Sequence, residues 1–397
     1  MNTMTARHPL LRWSVPGVAV VALIAGGQVA THLPASAAPK LPARTAQQLL
    51  TDLAAASPAG FSGIVDESTN LGLPQLPSQL AGGSTAASPL SLLSGTNTLR
   101  VWYAAPHSSR IAIMGSASET DAITNGTDAW LWQSAGKTVQ HLRLAPDPHR
   151  MTTDHLKPTP NPLPGGAAAM TPQGLATWAL GMLAPTTRVT TTSDVRVAGR
   201  SAYQLTFAPK TSATRIGSVR VAIDAAKHVP LRVQVFARGA GKPAISAGFT
   251  SVDFSVPAAS RFAFTPPPGS KVTQVTPPAG PPKAHPMMPG SKAAPGHPAA
   301  PRPATAGSAW RTVGAGWSSV LVGTLPKSVG DTNAGPSGSG QTGELAGMLQ
   351  LLPRVSGAWG SGHLLTSALF SAVLTNDGRI AVGAVAPNQL YAALGRG

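Results

Sequence analysis

Residues 199–268 constrain this chain more than any other stretch. They read GRSAYQLTFAPK, then RIGSVRVAIDAAKHVPLRVQVFA, then AISAGFTSVDFS, and end in SRFAFTPPPGSKV. Four runs alternate apolar and polar residues, the period of half-buried β-strands. Val219, Val221 and Ile223 share one side of a run, opposed by Arg220 and Asp224. Leu231, Val233 and Val235 share one side of the next, opposed by Arg232 and Gln234. A sheet with one apolar side must bury it against a second sheet, a helix or a lipid.

More strands precede this block. FSGIVDES (61–68), TLRVWYAA (98–105), RIAIMGS (110–116), TDAITNGTDAWLWQSA (120–135), TVQHLRL (138–144) and VTTTSDVRVAGR (189–200) all read as strands, and Asn125-Gly126 marks a hairpin. Two segments read as apolar-faced helices. In 41–57, Ala46, Leu49, Leu50 and Leu53 form one stripe, with Pro42 suited to the first turn. The other is PQGLATWALGMLA (172–184). The stretch 70–95 is rich in Leu, Pro, Gly and Ser without a clean period. Its many leucines suit a loop that folds against apolar surface.

The chain divides into four parts. Residues 1–37 carry Arg7 and Arg12, an apolar run at 15–24 and the A-x-A site Ala35-Ser36-Ala37, the three parts of a secretory signal. The expected products are an exported chain with the signal cleaved, or one held by it as an N-terminal membrane anchor. Residues 38–268 form the main β-rich domain and 269–309 a Pro-rich linker. Residues 310–397 form a small α+β unit, with the strand GWSSVLVGTL, a helix at 345–352, a hairpin turning at Asn376-Asp377-Gly378 and a terminal helix PNQLYAAL. This unit either stands alone or packs back onto the first sheet.

The net charge of +16 arises from scarcity of acids, 14 Asp plus Glu. The basic residues are scattered, with no Lys/Arg block interleaved with aromatics, so nucleic acid is not an expected partner. Anionic lipid head groups or cell-envelope polymers suit the charge better, and simple solubility suits it equally. The absence of cysteine excludes disulfides, thiolate metal sites and a lipobox cysteine.

No enzyme constellation is present: no G-x-S-x-G, H-E-x-x-H, P-loop or G-x-G-x-x-G after a strand. No catalytic residue, metal or cofactor is therefore expected. His149 and His155 lie near Asp147 and Asp154 in a Pro-rich loop, at a spacing that makes no helical ligand pair. Asp66 and Glu67 are adjacent, so in a strand they face opposite ways and cannot act as a paired acid and base.

LPARTAQQLLTDLAAA (41–56), TLRVWYAAP (98–106), NGTDAWLWQS (125–134), VAGRSAYQLTFAPK (197–210), 217–255 and RFAFTPPPGSKV (261–272) together resemble the LolA-like family of lipoprotein carriers. More closely they resemble the lipoprotein-sorting-type exported proteins of high-GC Gram-positive bacteria. The C-terminal 352–387 fits the same proteins. The resemblance implies an α+β fold: a LolA-like antiparallel half-barrel sheet with covering helices, plus a small C-terminal α+β unit. Its concave side would hold acyl chains of lipids or lipoproteins, making the protein an exported, non-enzymatic carrier or chaperone. The two-part order also resembles the RseB-like regulators, which implies an extracytoplasmic sensor whose partner is a membrane protein such as an anti-sigma factor. A carrier would have an ABC transporter as its membrane partner.

The residues expected to line an apolar cavity are Leu49, Leu53, Trp102, Ile111, Ile113, Trp130, Trp132, Trp178, Met182, Leu205, Val219, Val221, Ile223, Val233 and Val235. The competing reading of the same residues is an ordinary core beneath fixed helices. Alternation within single strands does not decide which side of the sheet is concave.

Overall fold

The computed structural model describes residues 41–73, 92, 94–115, 117–143, 180, 183–275, 310–324 and 352–395. The secretory signal, most of the second expected helix, His149, His155 and nearly all of the Pro-rich linker lie outside the described residues.

The first sheet has twelve strands: β1 (Gly60–Thr69), β2 (Gly95–Ala104), β3 (Ser108–Met114), β4 (Glu119–Asn125), β5 (Asp128–Gln133), β6 (Thr138–Arg143), β7 (Thr187–Val197), β8 (Arg200–Pro209), β9 (Ile216–Asp224), β10 (Pro230–Ala237), β11 (Ile245–Asp253) and β12 (Lys271–Val275). Their spatial order is β12-β6-β5-β4-β3-β2-β1-β11-β10-β9-β8-β7. Two antiparallel meanders, β1–β6 and β7–β11, therefore meet at one seam. There β1 pairs antiparallel with β11, from Ser62 opposite Asp253 to Thr69 opposite Ile245. A bulge at Ile64/Val65 interrupts that register.

Turn chemistry places the hairpins. Asn125 pairs with Asp128, so Gly126 (φ 62°) and Thr127 form the loop, one residue beyond the expected Asn-Gly pair. Val197 pairs with Arg200 across Ala198 (φ 51°) and Gly199 (φ 73°). Two positive φ values make this a turn whose twist suits the flanking strands. Ala198 is strained there, because its Cβ crowds the carbonyl. Ala198→Gly is expected to stabilise the protein by about 1 kcal/mol, read as a higher thermal midpoint.

Helix α1 (Ala46–Ala55) begins where its apolar stripe begins, inside the expected segment 41–57. Thr45 caps it: the Gln48 amide N–H donates to the Thr45 hydroxyl, and the Thr45 N–H donates to the Gln48 side chain. This capping box satisfies two free amides at the helix start, leaving Pro42 outside. The carbonyl of Pro42 instead accepts the Tyr203 hydroxyl at 3.0 Å. Thr191 ties down the same segment through the Arg44 carbonyl at 3.0 Å.

Residues 271–275, expected in the linker, form the edge strand β12, parallel to β6. All five are exposed, so no alternation of burial marks them in the sequence. To reach β6 from β11, residues 254–270 cross the β1–β6 half. Phe264 of this strap packs against Trp130 and Trp132, with ring centroids 5.5 and 6.4 Å apart.

The second sheet has six strands in the order β13-β14-β18-β17-β16-β15. They are β13 (Trp310–Val313), β14 (Val320–Thr324), β15 (Arg354–Gly357), β16 (Gly360–Thr366), β17 (Ser371–Thr375) and β18 (Arg379–Gly383). Helix α2 (Pro387–Leu394) buries Leu390, Ala393 and Leu394 against Val320, Val322 and Val373. The architecture is thus a large, almost wholly antiparallel sheet with few helices and a small C-terminal sheet unit.

Candidate apolar binding face

Side chains directly opposite each other in a ladder lie on the same face, so the registers carry a face assignment from strand to strand. Leu205 lies opposite Val221, Val221 opposite Val233, and Val233 opposite Ala247. Ala247 lies opposite Glu67, which lies opposite Asn97. Two residues along, Val65 lies opposite Leu99, Leu99 opposite Ile113, and Ile113 opposite Thr120. One apolar face therefore runs from β8 to β4.

Eight of the expected lining residues form one cluster on this face. Leu205, Val219, Val221, Ile223, Val233 and Val235 come from the sheet, and Leu49 and Leu53 from α1. Ile111 and Ile113 share the face but belong to a separate cluster with Leu99 and Leu92. Trp178 and Met182 lie outside the described residues.

The three remaining tryptophans are on the other face. Trp102 lies opposite Arg110, Arg110 opposite Ile123, Ile123 opposite Trp130, and Asp121 opposite Trp132. They do not share a wall with the aliphatic cluster, since a period of two places them at odds with Leu99 and Leu131. Their surroundings are mixed. Arg110 lies over Trp102 at 5.6 Å, and Trp130 stacks on His141 at 3.6 Å. His141 shares a 2.7 Å contact with Asp128. Beside Trp102 lies a shallow groove of about 330 Å³, lined by Ser62, Ile64, Arg100, Ser251 and Asp253 among others.

Residues without any periodic signal close the apolar face over β7–β11. Leu71, Trp317 and Leu369 are buried in the same cluster as Leu205 and Val221. Trp317 is 8% exposed and its indole N–H donates to the Thr187 hydroxyl at 2.7 Å. The Ala368 N–H donates to the Leu71 carbonyl at 2.7 Å. Gly316 (φ +58°) turns the chain into this wedge, and a Cβ there would sit 2.9 Å from Thr186 Cγ2. The C-terminal unit thus packs back onto the first sheet while keeping its own sheet and core. Leu71, Leu73 and Leu92 show where described leucines of the unpatterned 70–95 stretch go: against apolar surface.

Between the two apolar clusters sits a carboxyl group. Glu67 is 0% exposed and accepts from the Thr69 hydroxyl and, at 2.6 Å, from the Asn97 amide. Burial pushes its pKa up, and these hydrogen bonds offset only part of that. Asp66 points to the opposite face, where it accepts from Thr98 at 3.1 Å and leaves Oδ2 buried without a partner. Its pKa is also raised by burial. A raised native pKa means that the native state holds protons the unfolded chain has released. Stability therefore falls as pH rises from the ordinary carboxylate range through the raised value. Glu67→Gln is expected to flatten this fall and to raise the melting temperature at pH 7 but not at pH 4. Parallel melting curves for the two proteins at all pH values would refute it.

Among the described residues no group of three His, Cys, Asp or Glu side chains could hold a metal ion. The face offers apolar surface with one enclosed acid, so anything held on it would be held by burial rather than by polar handles.

No protein-family model matches the chain, and no curated protein does. Solved structures do. The chain is similar to one in the MucA/MucB complex of Pseudomonas aeruginosa (13% identity, 88% of this chain, 96% of that one, TM-score 0.40). It is similar to an uncharacterised conserved protein of Thermus thermophilus (10%, 58% and 100%, TM-score 0.33). It is also similar to a LolA superfamily protein of Nitrosomonas europaea (10%, 56% and 99%, TM-score 0.23). MucB and LolA-superfamily structures are thus among its structural neighbours.

Proposed function

We propose that this protein is an exported, non-enzymatic carrier or chaperone that holds acyl chains of a lipid or lipoprotein against its apolar sheet face. The observation supporting this is the division of that face. Over β7–β11 it is sealed by α1, Trp317 and Leu369. Over β2 and β3 the described residue packed on Leu99, Ile111 and Ile113 is Leu92, from the unpatterned 70–95 stretch. Leu99 and Ile113 are 0% and 7% exposed. An acyl chain would therefore take the place of Leu92 over Leu99, Val101, Ile111 and Ile113. Its own apolar surface would gain about 25 cal/mol per Å² removed from water. Ordering costs reduce that gain. The eight expected lining residues of the cluster over β7–β11 then form the fixed floor beside the site.

A second reading rests on Trp317 and Leu369. They insert the C-terminal unit into the same face that would bind ligand, so occupancy of one bears on the seating of the other. That arrangement suits an extracytoplasmic sensor for a membrane-protein segment.

The test is native mass spectrometry of the mature protein purified from its own envelope, followed by organic extraction and lipid analysis. Co-purified diacyl lipid, lost in Ile111→Glu with the fold retained, is the expected result. A lipid-free protein that instead retains a membrane-anchored protein segment overturns the carrier in favour of the sensor.

A further inference from the structure

The face opposite the apolar one has a row of polar side chains crossing six strands. Thr190 lies opposite Thr206, Thr206 opposite Arg220, Arg220 opposite Gln234, Gln234 opposite Ser246, and Ser246 opposite Ser68. Arg232, two residues before Gln234, points the same way and lies diagonal to Arg220. Diagonal neighbours on adjacent strands sit about 7–8 Å apart, within reach of two long side chains.

Among the described residues, neither guanidinium group has an acidic partner. Among the described residues, the ion pairs use Arg44, Arg110, His141, Arg143, Arg200 and Arg379, never Arg220 or Arg232. Yet each is held in place. Arg220 lies over the buried Phe236 ring at 4.1 Å. The Arg232 stem runs across Gly248, where a Cβ would sit 2.8 Å from its Cγ. Asp66 lies beyond Gly248 on the same face, buried, and makes no ion pair with it. Burial and the neighbouring Arg220 charge both depress the proton affinity of Arg232. Two partly exposed like charges on neighbouring strands, beside two neutral donors, form a site that an anion would complete. Gln234 and Ser246 are only loosely engaged with each other, at 3.5 Å.

We propose that Arg220, Arg232, Gln234 and Ser246 form a binding site for a phosphate oxyanion. The two guanidinium groups supply charge and paired N–H donors, the arrangement in which arginine excels over lysine for phosphate. Gln234 and Ser246 donate to the remaining oxygens. Phosphate free in solution and the phosphodiester of an anionic lipid head group present the same chemistry. Either would be drawn by the chain's net positive charge. This site is on the opposite face from the acyl-chain site and does not depend on it.

The experiment is arginine footprinting of the full mature chain with phenylglyoxal, read by peptide mass spectrometry. It is run with inorganic phosphate, with phosphatidylglycerol vesicles, and with phosphatidylcholine vesicles. Protection of Arg220 and Arg232 is expected with at least one of the first two. Protection by inorganic phosphate identifies a soluble source, and protection by phosphatidylglycerol vesicles alone identifies a head group. Arg220→Gln and Arg232→Gln should each weaken binding roughly tenfold, and Arg232→Lys less than that. The proposal is overturned if neither probe protects, if phosphatidylcholine protects equally, or if the folded double variant binds like the wild type. The footprint on the unaltered chain decides the matter even if a variant fails to fold.

Discussion

Replacing Trp317 with alanine is expected to cost about 3–5 kcal/mol, the usual range for deleting a large buried aromatic. The residue is buried among Leu49, Tyr203, Leu205 and Val221, side chains of the first unit. It also satisfies the Thr187 hydroxyl, which is itself buried. Leu369, with Ala368 and Phe370 beside it, adds apolar contact to the same cluster, and the Ala368 N–H to Leu71 bond lies next to it. The other ties between the units are polar. The Thr214 hydroxyl and the Arg215 N–H donate to the Ala384 carbonyl at 2.7 and 2.8 Å, and the Gln389 amide donates to Ala213 at 2.8 Å. Hydrogen bonds of this kind contribute about 1 kcal/mol each. Loss of the wedge should therefore separate one cooperative denaturant transition into two, the first belonging to the second sheet. Thr187→Val should cost about 1 kcal/mol and leave a single transition. A single unshifted transition in Trp317→Ala would show that the wedge does not hold the units together.

Asp224→Ala is expected to destabilise by about 3 kcal/mol, because removing one partner strands the other charge and two amides. The carboxylate is 1% exposed and takes both Nε and Nη2 of Arg200, the latter at 3.1 Å. It also accepts the N–H groups of Ala226 at 3.0 Å and Lys227 at 2.6 Å, which shapes the β9–β10 turn. Arg200 keeps about a third of its side chain in water, which puts the cost at the low end for a broken buried pair. Burial alone would raise the pKa of Asp224. Arg200 and the two amides outweigh it and hold the group below the ordinary carboxylate range. Here the unfolded chain binds the proton first. The stabilisation is complete above the ordinary carboxylate pKa and is lost as pH falls through the depressed native value. Asp224→Asn should flatten the acid limb of stability against pH. The test is the midpoint of acid unfolding, and an unchanged limb would remove Asp224 from the account.

Strands β8–β11 were legible because each buries one face and exposes the other, which writes alternation into the sequence. The stripe of α1 was legible for the same reason at a period of 3.6. Three things left no such mark. Trp317, expected in the strand GWSSVLVGTL, sits instead in the single 3-10 turn Gly316–Ser318 before β14, and Leu369 in the loop after β16, where burial has no period. Strand β12 is exposed on both sides and is held by backbone pairing to β6, so its residues resemble linker. Trp130 and Trp132 share a side by their spacing of two, but which face of the sheet that is depends on strands joined in register. The parity linking Trp132 to Asp121 rather than to Leu99 exists only once β2–β5 are paired.

The seam between β1 and β11 has a kinetic consequence. Every other antiparallel pairing of the first sheet joins strands that follow one another along the chain. Only this pairing, and the strap to β12, link residues nearly two hundred positions apart or span a whole half-sheet. Such long loops must close before their contacts repay the lost chain entropy, so topologies of this kind fold slowly. Until residue 253 has emerged, the edge of β1 that carries Glu67 has no partner on its far side. A half-formed sheet of β1–β6 would then present an open strand edge, the template on which chains join one another and aggregate. Keeping the chain unstructured until its eleventh strand is available would avoid that hazard.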